Sequence, residues 1–372
     1  MKRVVAIYEN KMKMRGNCRS HEVLDALTEH GFSIENVSVG QEMHAGHPSL
    51  PALKLVANFK DQIKIFIRLF KIVKAGDIVY INSTRAIAAA LVARMKKAKL
   101  ICHLDSDAKP ITVFDQFAKR MIAPLIDHAI FNSVSLKKNF SLKVKQQTVI
   151  YNSLPDKFDI IPIAAKVGSS NEFCVVIPIH FYNIQKQTQI FTLASLLPQV
   201  KFRLLNSCDA DLSSLFSALR PPNIEIIKES YMEHPYRSAN LFLDLSDSSE
   251  NTFSGDLEML EAMRCGLPVI VSADGALQEL MINGKHGLKV PTDNVQVIAE
   301  AIERLNHHKL LYEKLSSSCR NHAKLFSKQC FESEFIKPFL GQRLNPYHKL
   351  AQLFGDAYLN LETSVFAKPE IN

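Results

Sequence analysis

No apolar stretch of this 372-residue chain approaches the roughly 20 residues that span a bilayer; the longest clean runs are short ones such as Ala86–Ala93. The opening MKRVVAIYEN has too short an apolar run for a signal peptide, which sets the expectation of a cytoplasmic location. Cysteine is sparse. Seven residues (Cys18, Cys102, Cys174, Cys208, Cys265, Cys319 and Cys330) are odd in number, scattered and without a C-x-x-C pair, so neither a disulfide framework nor a zinc knuckle is expected. They read as buried small residues of a reducing compartment. Internal repeats and low-complexity tracts are missing, and 47% hydrophobic with 22% charged residues is ordinary globular composition. No G-x-G-x-x-G follows the first expected strand, which argues against a dinucleotide-dependent dehydrogenase. Without a recognised binding module or Arg-rich tract, nucleic acid is not an expected partner.

Charge is unevenly placed. The formal total is +8, but residues 1–150 carry +12 and the remainder −4, and residues 51–100 hold 11 Lys/Arg against two acids. An anionic partner for the first part follows. Within 54–74, Lys60, Lys64, Arg68, Lys71 and Lys74 share one helical face, while Phe59, Ile63, Phe66, Leu69, Phe70 and Val73 cover most of the other side. That pattern fits a helix lying on an anionic membrane surface, peripheral to the inner face of the cytoplasmic membrane. It fits equally an ordinary helix packed on a sheet with a solvated basic face.

The length favours two domains. Val4–Tyr8 reads as a strand and Ser20–His30 as a helix with a capping serine and Gly31 as its stop. A strand over Asp77–Asn82, an Ala-rich helix over Arg85–Lys97, a strand at Leu100–Leu104 and a helix near Phe114–Ile126 continue the alternation. Strands alternating with helices imply a parallel, doubly wound α/β sheet. The Pro- and Gly/Ser-bearing stretch before residue 172 reads as a linker. A second α/β series then follows, with strands near Phe173–Ile177, Lys201–Leu205, Ile224–Ile227, Leu241–Leu243 and Pro268–Val271. Expected boundaries are 1–155 for the first domain, 156–172 for the linker, 173–308 for the second domain, 309–345 for C-terminal helices returning to the first domain, and 346–372 for an unassigned tail. Tandem Rossmann-like domains facing each other across a cleft would bind ligands at the carboxyl ends of their strands.

The most informative stretch is residues 246–290. Ser254 or Asp256 can cap a helix through Leu257, Leu260 and Met263, Cys265-Gly266 ends it, and a strand follows. A helix N-terminus offers unpaired N–H groups and a positive dipole end to a diphosphate. Glu258 and Glu261 lie one to two turns inside and could accept hydrogen bonds from sugar hydroxyls. Gly275 and Gly287 read as turn glycines needing positive φ.

The runs L-E-A-M-R-C-G-L-P-V-I (260–270), S-A-D-G-A-L-Q-E (272–279) and N-G-K-H-G-L (283–288), with I-Y-N-S-L-P-D-K-F (150–158), resemble GT-B glycosyltransferases of the family 4 (group 1) type. That resemblance implies a GT-B fold and a retaining hexosyltransferase, an enzyme that uses a nucleotide-diphosphate sugar and needs no obligatory metal or other cofactor. Its implied acceptor is a glycan or lipid-linked molecule in surface polysaccharide or lipopolysaccharide synthesis, bound by the first domain. The resemblance places Glu261 on the donor ribose, Gly275 and Glu279 in the Gly-rich turn (with Ala276 replacing its second glycine), and Lys186 on the donor phosphates. No Arg precedes Lys186; His180 lies near that position. Gly255 and Leu257 offer backbone N–H groups, and Gly16 stands in the loop after the first strand. His103, at the end of a strand, lines the sugar site. The acid expected eight residues before Glu261 is Phe253, so Glu250 or Asp256 takes the sugar-contacting role. Asp105 and Asp107 form the one literal Asp-x-Asp. Alternatives that the same residues leave open are a divergent nucleotide-sugar-binding scaffold and another GT-B reaction such as epimerisation.

Overall fold

The computed structural model of the chain describes residues 2–9, 17–39, 51–82, 86–104, 119–140, 143–154, 172–179, 184–206, 220–227, 233–246, 256–273 and 276–342. These form two compact units: residues up to Tyr151 together with those from Phe331 onward, and residues from Asn152 to Cys330. The expected linker except Glu172, and the tail from 346, lie outside the described residues.

In the first unit, strands β1 (Arg3–Glu9), β2 (Ser33–Val39), β3 (Ile78–Ile81), β4 (Lys99–Leu104), β5 (His128–Phe131) and β6 (Gln147–Val149) form one parallel sheet in the order β2-β1-β3-β4-β5-β6. The β3 run I-V-Y-I is buried throughout, as a parallel strand covered on both faces must be. Helices α1 (Asn17–Glu29), α2 (Pro51–Ile72), α3 (Ile87–Met95) and α4 (Val134–Phe140) accompany it.

The second unit repeats the architecture with β7 (Phe173–Ile179), β8 (Val200–Asn206), β9 (Ile224–Ile227), β10 (Leu241–Leu243), β11 (Val269–Ser272) and β12 (Gly287–Val290), parallel and ordered β12-β11-β10-β7-β8-β9. Its helices are α5 (Ile184–Leu196), α6 (Glu233–Arg237), α7 (Asp256–Arg264), α8 (Val295–His307) and α9 (Lys309–Ala323). Strand order reverses between β7 and β10, which makes that pair the topological switch point where open α/β sheets bind ligands. Helix α10 (Lys328–Leu340) begins in this unit and crosses to the first: Phe331, Phe335 and Phe339, spaced one turn apart, join Val4, Ala6, Tyr80, Ile101 and Ile130 in its core. Both units are therefore α/β with doubly wound parallel sheets, as the sequence leads one to expect.

The structure bears on the open choice for the basic helix and corrects the positive-φ reading of Gly287. Among the residues of α2 whose burial is described, only Leu69 is buried, as is Val73 just beyond the helix, whereas Ile63, Ile67 and Phe70 are exposed, so the apolar side there is not fully spent on packing. A stripe Ile63-Ile67-Phe70 runs beside the exposed Lys64, Arg68 and Lys71. Gly287 is not a positive-φ glycine. Its requirement is space: a Cβ there would stand 1.7 Å from the Val269 carbonyl oxygen, because β12 pairs Gly287 with Val269 at close range. Among the described residues, no helix is long and apolar enough to cross a membrane.

Candidate functional site

The switch point of the second unit is built by two strand ends and two helix starts. Because β7 and β8 are parallel, as are β10 and β11, the intervening helices α5 and α7 run back along the sheet. Their N-termini therefore stand at the carboxyl ends of β7 and β10. Helix α5 packs beside α8 and α7 beside α9. Lys186 is in the first turn of α5 and partly exposed. The positive ends of both helix dipoles thus border one crevice of the sheet.

Helix α7 is acidic where helices tolerate acids best, in the first turns. Asp256 opens it, Leu257 follows half-buried, and Asp256, Glu258 and Glu261 are all buried. The three do not point together. Glu258 and Glu261, three residues apart, share a face, while Asp256 lies on another side. There its Oδ2 accepts a 2.6 Å hydrogen bond from the Asn152 amide. Gly266, at φ +87°, ends the helix.

Glu279, also predicted, is buried on the short 3₁₀ segment Ala276–Leu280 between β11 and β12. Lys289 on β12 interacts with it: burial lowers the Lys289 pKa while the Glu279 charge opposes that shift. Sequence reading missed Lys289, and also Asp244, a buried acid directly after β10 whose carboxylate accepts from the Ser246 hydroxyl and, at 3.3 Å, from the Ser246 N–H. Its signal was positional: it is the first residue beyond the L-F-L strand at the switch point.

The rings of His286 and His322, both buried, lie with centroids 4.0 Å apart and planes tilted by 30°. The Ile282 N–H donates to His286 Nδ1 at 3.1 Å, and His322 Nε2 donates to the Leu280 carbonyl at 2.8 Å. Burial, with the neighbouring His322 and Lys285 charges, pushes the His286 pKa down to about 3. His286 is neutral at any ordinary pH.

In the first unit, His103 lies near the carboxyl end of β4 with its Nδ1 2.8 Å from the Tyr80 hydroxyl and its ring 5.4 Å from that of Phe335. At 6% exposed it belongs to the aromatic layer between β4 and α10. Gly16, His180, Glu250, Gly255 and Gly275 lie outside the described residues, as do Asp105 and Asp107. Among the described residues no group of three or more His, Cys, Asp or Glu is arranged to hold a metal ion.

Residues 191–308, which include β10, α7 and β11, match the family model of glycosyl transferases group 1. That segment of the second unit is similar to the group 1 glycosyltransferases. Solved structures extend the likeness in fold to nearly the whole chain. Sucrose-phosphate synthase from Thermosynechococcus elongatus superposes with a TM-score of 0.70 at 16% identity, covering 92% of this chain and 99% of that one. Anabaena HepE in complex with UDP-glucose gives 0.68 at 14%, covering 92% and 100%. A glycosyltransferase from Rickettsia africae gives 0.68 at 14%, covering 91% and 98%. No curated protein sequence matches the chain. The GT-B fold and the enzyme class, a glycosyltransferase, stand on these findings.

Proposed function

We propose that this glycosyltransferase is a retaining enzyme that moves a sugar from a nucleotide-diphosphate sugar to a glycan or lipid-linked acceptor in surface polysaccharide or lipopolysaccharide synthesis. The observation that carries the donor half is the pair Glu258 and Glu261, buried on one face of α7 at the switch point, within the segment that matches the family. Carboxylates are strong acceptors for hydroxyl donors such as those of ribose and hexose. In this reading Glu261 accepts from the ribose, Asp256 or Glu250 and His103 serve the transferred sugar, and Gly275 and Glu279 form the turn beside it. Lys186, with the N–H groups at Gly255 and Leu257, holds the diphosphate, with Gly16 and His180 nearby.

Transfer requires stabilising the departing phosphate charge and an oxocarbenium-like centre, both served by fixed dipoles and charges that need no rearrangement during reaction. The neighbouring N-termini of α5 and α7 are suited to that load. HepE was solved with UDP and with UDP-glucose, which supports a nucleotide sugar as donor here. No metal or other cofactor is invoked. For the acceptor half, the exposed Ile63-Ile67-Phe70 stripe beside Lys64, Arg68 and Lys71 supports docking on an anionic bilayer that presents a lipid-linked acceptor.

Calorimetric titration with UDP-, GDP- and ADP-sugars, followed by NMR of the product anomer, tests this. Binding of one nucleotide class with retained configuration is expected. Binding to none refutes the donor reading; binding without hydrolysis or transfer would favour a nucleotide-sugar-binding scaffold.

A further inference from the structure

The first unit has a second basic feature, distinct from α2 and from everything assigned above. At the amino ends of β4, β5 and β6 lies a cavity of about 900 Å³, a size suited to small ligands. Arg94, Lys97, Lys99 and Lys145 line it with a single acid, Asp127. Asp127 is already engaged: Oδ2 accepts from the Leu100 N–H at 2.9 Å and Oδ1 pairs with Lys145 Nζ at 2.5 Å. Three positive charges remain in excess around one opening.

The backbone indicates that these cations are held there against local preference. Helix α3 ends in a two-bond closure, Ala98 N–H to Ala93 carbonyl at 2.8 Å and Lys97 N–H to Arg94 carbonyl at 3.3 Å, which demands a left-handed residue at Lys97. Glycine normally fills that position; here a lysine sits at φ +55°, the one non-glycine with positive φ among the described residues. Lys99 is fixed as well, its Nζ donating to the Pro338 carbonyl at 2.6 Å, and burial lowers its pKa. A nearby anion would relieve both the mutual repulsion and that burial cost.

We infer that this cavity binds a phosphate group, presented by a soluble phosphate ester or by a lipid headgroup. The site is at the amino ends of the first sheet, whereas the donor reading concerns the carboxyl ends of the second, so either can fail without the other.

The test is calorimetric titration of the full chain with inorganic phosphate and diphosphate at low ionic strength. Saturable binding is expected, weakened about tenfold by Lys97→Gly and by Lys145→Ala, the loss of one charge-assisted hydrogen bond each, and unmoved by Lys186→Ala. Lys97→Gly removes the cation while relaxing the backbone, so its melting temperature should hold or rise; Lys145→Ala alters an exposed side chain. No saturable binding, insensitivity to both variants, or loss only with Lys186→Ala would overturn the inference. Sedimentation with phosphatidylcholine vesicles, with and without phosphatidic acid, separates the sources. A defect of Lys97→Gly confined to the phosphatidic acid vesicles identifies a headgroup; unchanged sedimentation alongside weakened phosphate binding identifies a soluble ester.

Discussion

The Asn152 side-chain amide donates to the Asp256 carboxylate at 2.6 Å, and both residues are buried. This bond ties the first residue of the second unit to the first residue of α7, the helix that carries Glu258 and Glu261. Asn152→Ala would leave a buried carboxylate short of a donor, at a cost of about 1–3 kcal/mol. A lower melting temperature is expected, together with weaker donor binding, since α7 loses its anchor. Asn152→Asp should be worse than alanine, because a second buried charge of the same sign replaces the donor. Thermal melts of the two variants, measured side by side, check the order.

Glu261→Ala should weaken binding of the donor nucleotide by about ten- to a hundredfold, the range for a lost hydrogen bond to a charged group. Glu261→Gln keeps the shape and one acceptor and should lie between. Calorimetry with the best donor gives the ranking; equal affinity for all three proteins would remove Glu261 from the ribose.

His286 makes stability depend on pH. Its folded pKa is about 3, below the ordinary histidine value, so on acidification the unfolded chain takes up a proton that the folded protein refuses. Stability contributed by the neutral imidazole is complete above about pH 6.5 and declines below it, by about 1.4 kcal/mol per pH unit down to the folded value. Buried His128, whose pKa is also lowered, adds in the same direction. Urea midpoints from pH 7 to pH 5 should fall, and His286→Asn, which keeps an acceptor for the Ile282 N–H but cannot charge, should flatten the decline.

Gly287→Ala places a methyl 1.7 Å from the Val269 carbonyl oxygen, and backbone on both sides must give. A loss of about 4 kcal/mol, at the exceptional end for one substitution, is expected. For a unit of this size that corresponds to a melting temperature lower by about 8–16 °C. Gly284→Ala meets no atom within 4 Å but retains φ +73°, and should cost about 1–2 kcal/mol.

The stripe on α2 predicts vesicle binding that Ile67→Glu abolishes with little change in fold, because Ile67 is 52% exposed. Sedimentation with anionic vesicles should also weaken as salt rises. Unchanged sedimentation of the variant would make α2 an ordinary surface helix.

Most of the alternation was legible because buried parallel strands are written as apolar runs: D-I-V-Y-I-N, L-I-C-H-L and the L-F-L of β10 leave little choice. Strands β2, β5, β6 and β12 were not. S-I-E-N-V-S-V and G-L-K-V are edge strands whose apolar runs are broken by polar residues, and H-A-I-F and Q-T-V are too short to show a period. In the site, Asp256, Glu258, Glu261 and Glu279 could be named because they sit in a recognisable local run. Asn152 could not, since its partner lies 104 residues away. Gly287 was misread for a related reason: a glycine demanded by a neighbouring strand looks, in sequence, like one demanded by a turn. The two readings of the α2 face stayed open in the sequence because periodicity gives the width of an apolar stripe but not how much of it the sheet covers.

The crossing of α10 bears on the order in which the protein can mature on the ribosome. Phe331, Phe335 and Phe339 complete the core around Val4, Tyr80, Ile101 and Ile130, so the core of the N-terminal sheet stays incomplete until residue 339 has emerged. The second unit up to Cys330 emerges before that, and the first unit waits for the helix that follows it. During synthesis that waiting apolar surface is the natural target of a chaperone, and a fragment stopping at residue 330 would never lose it.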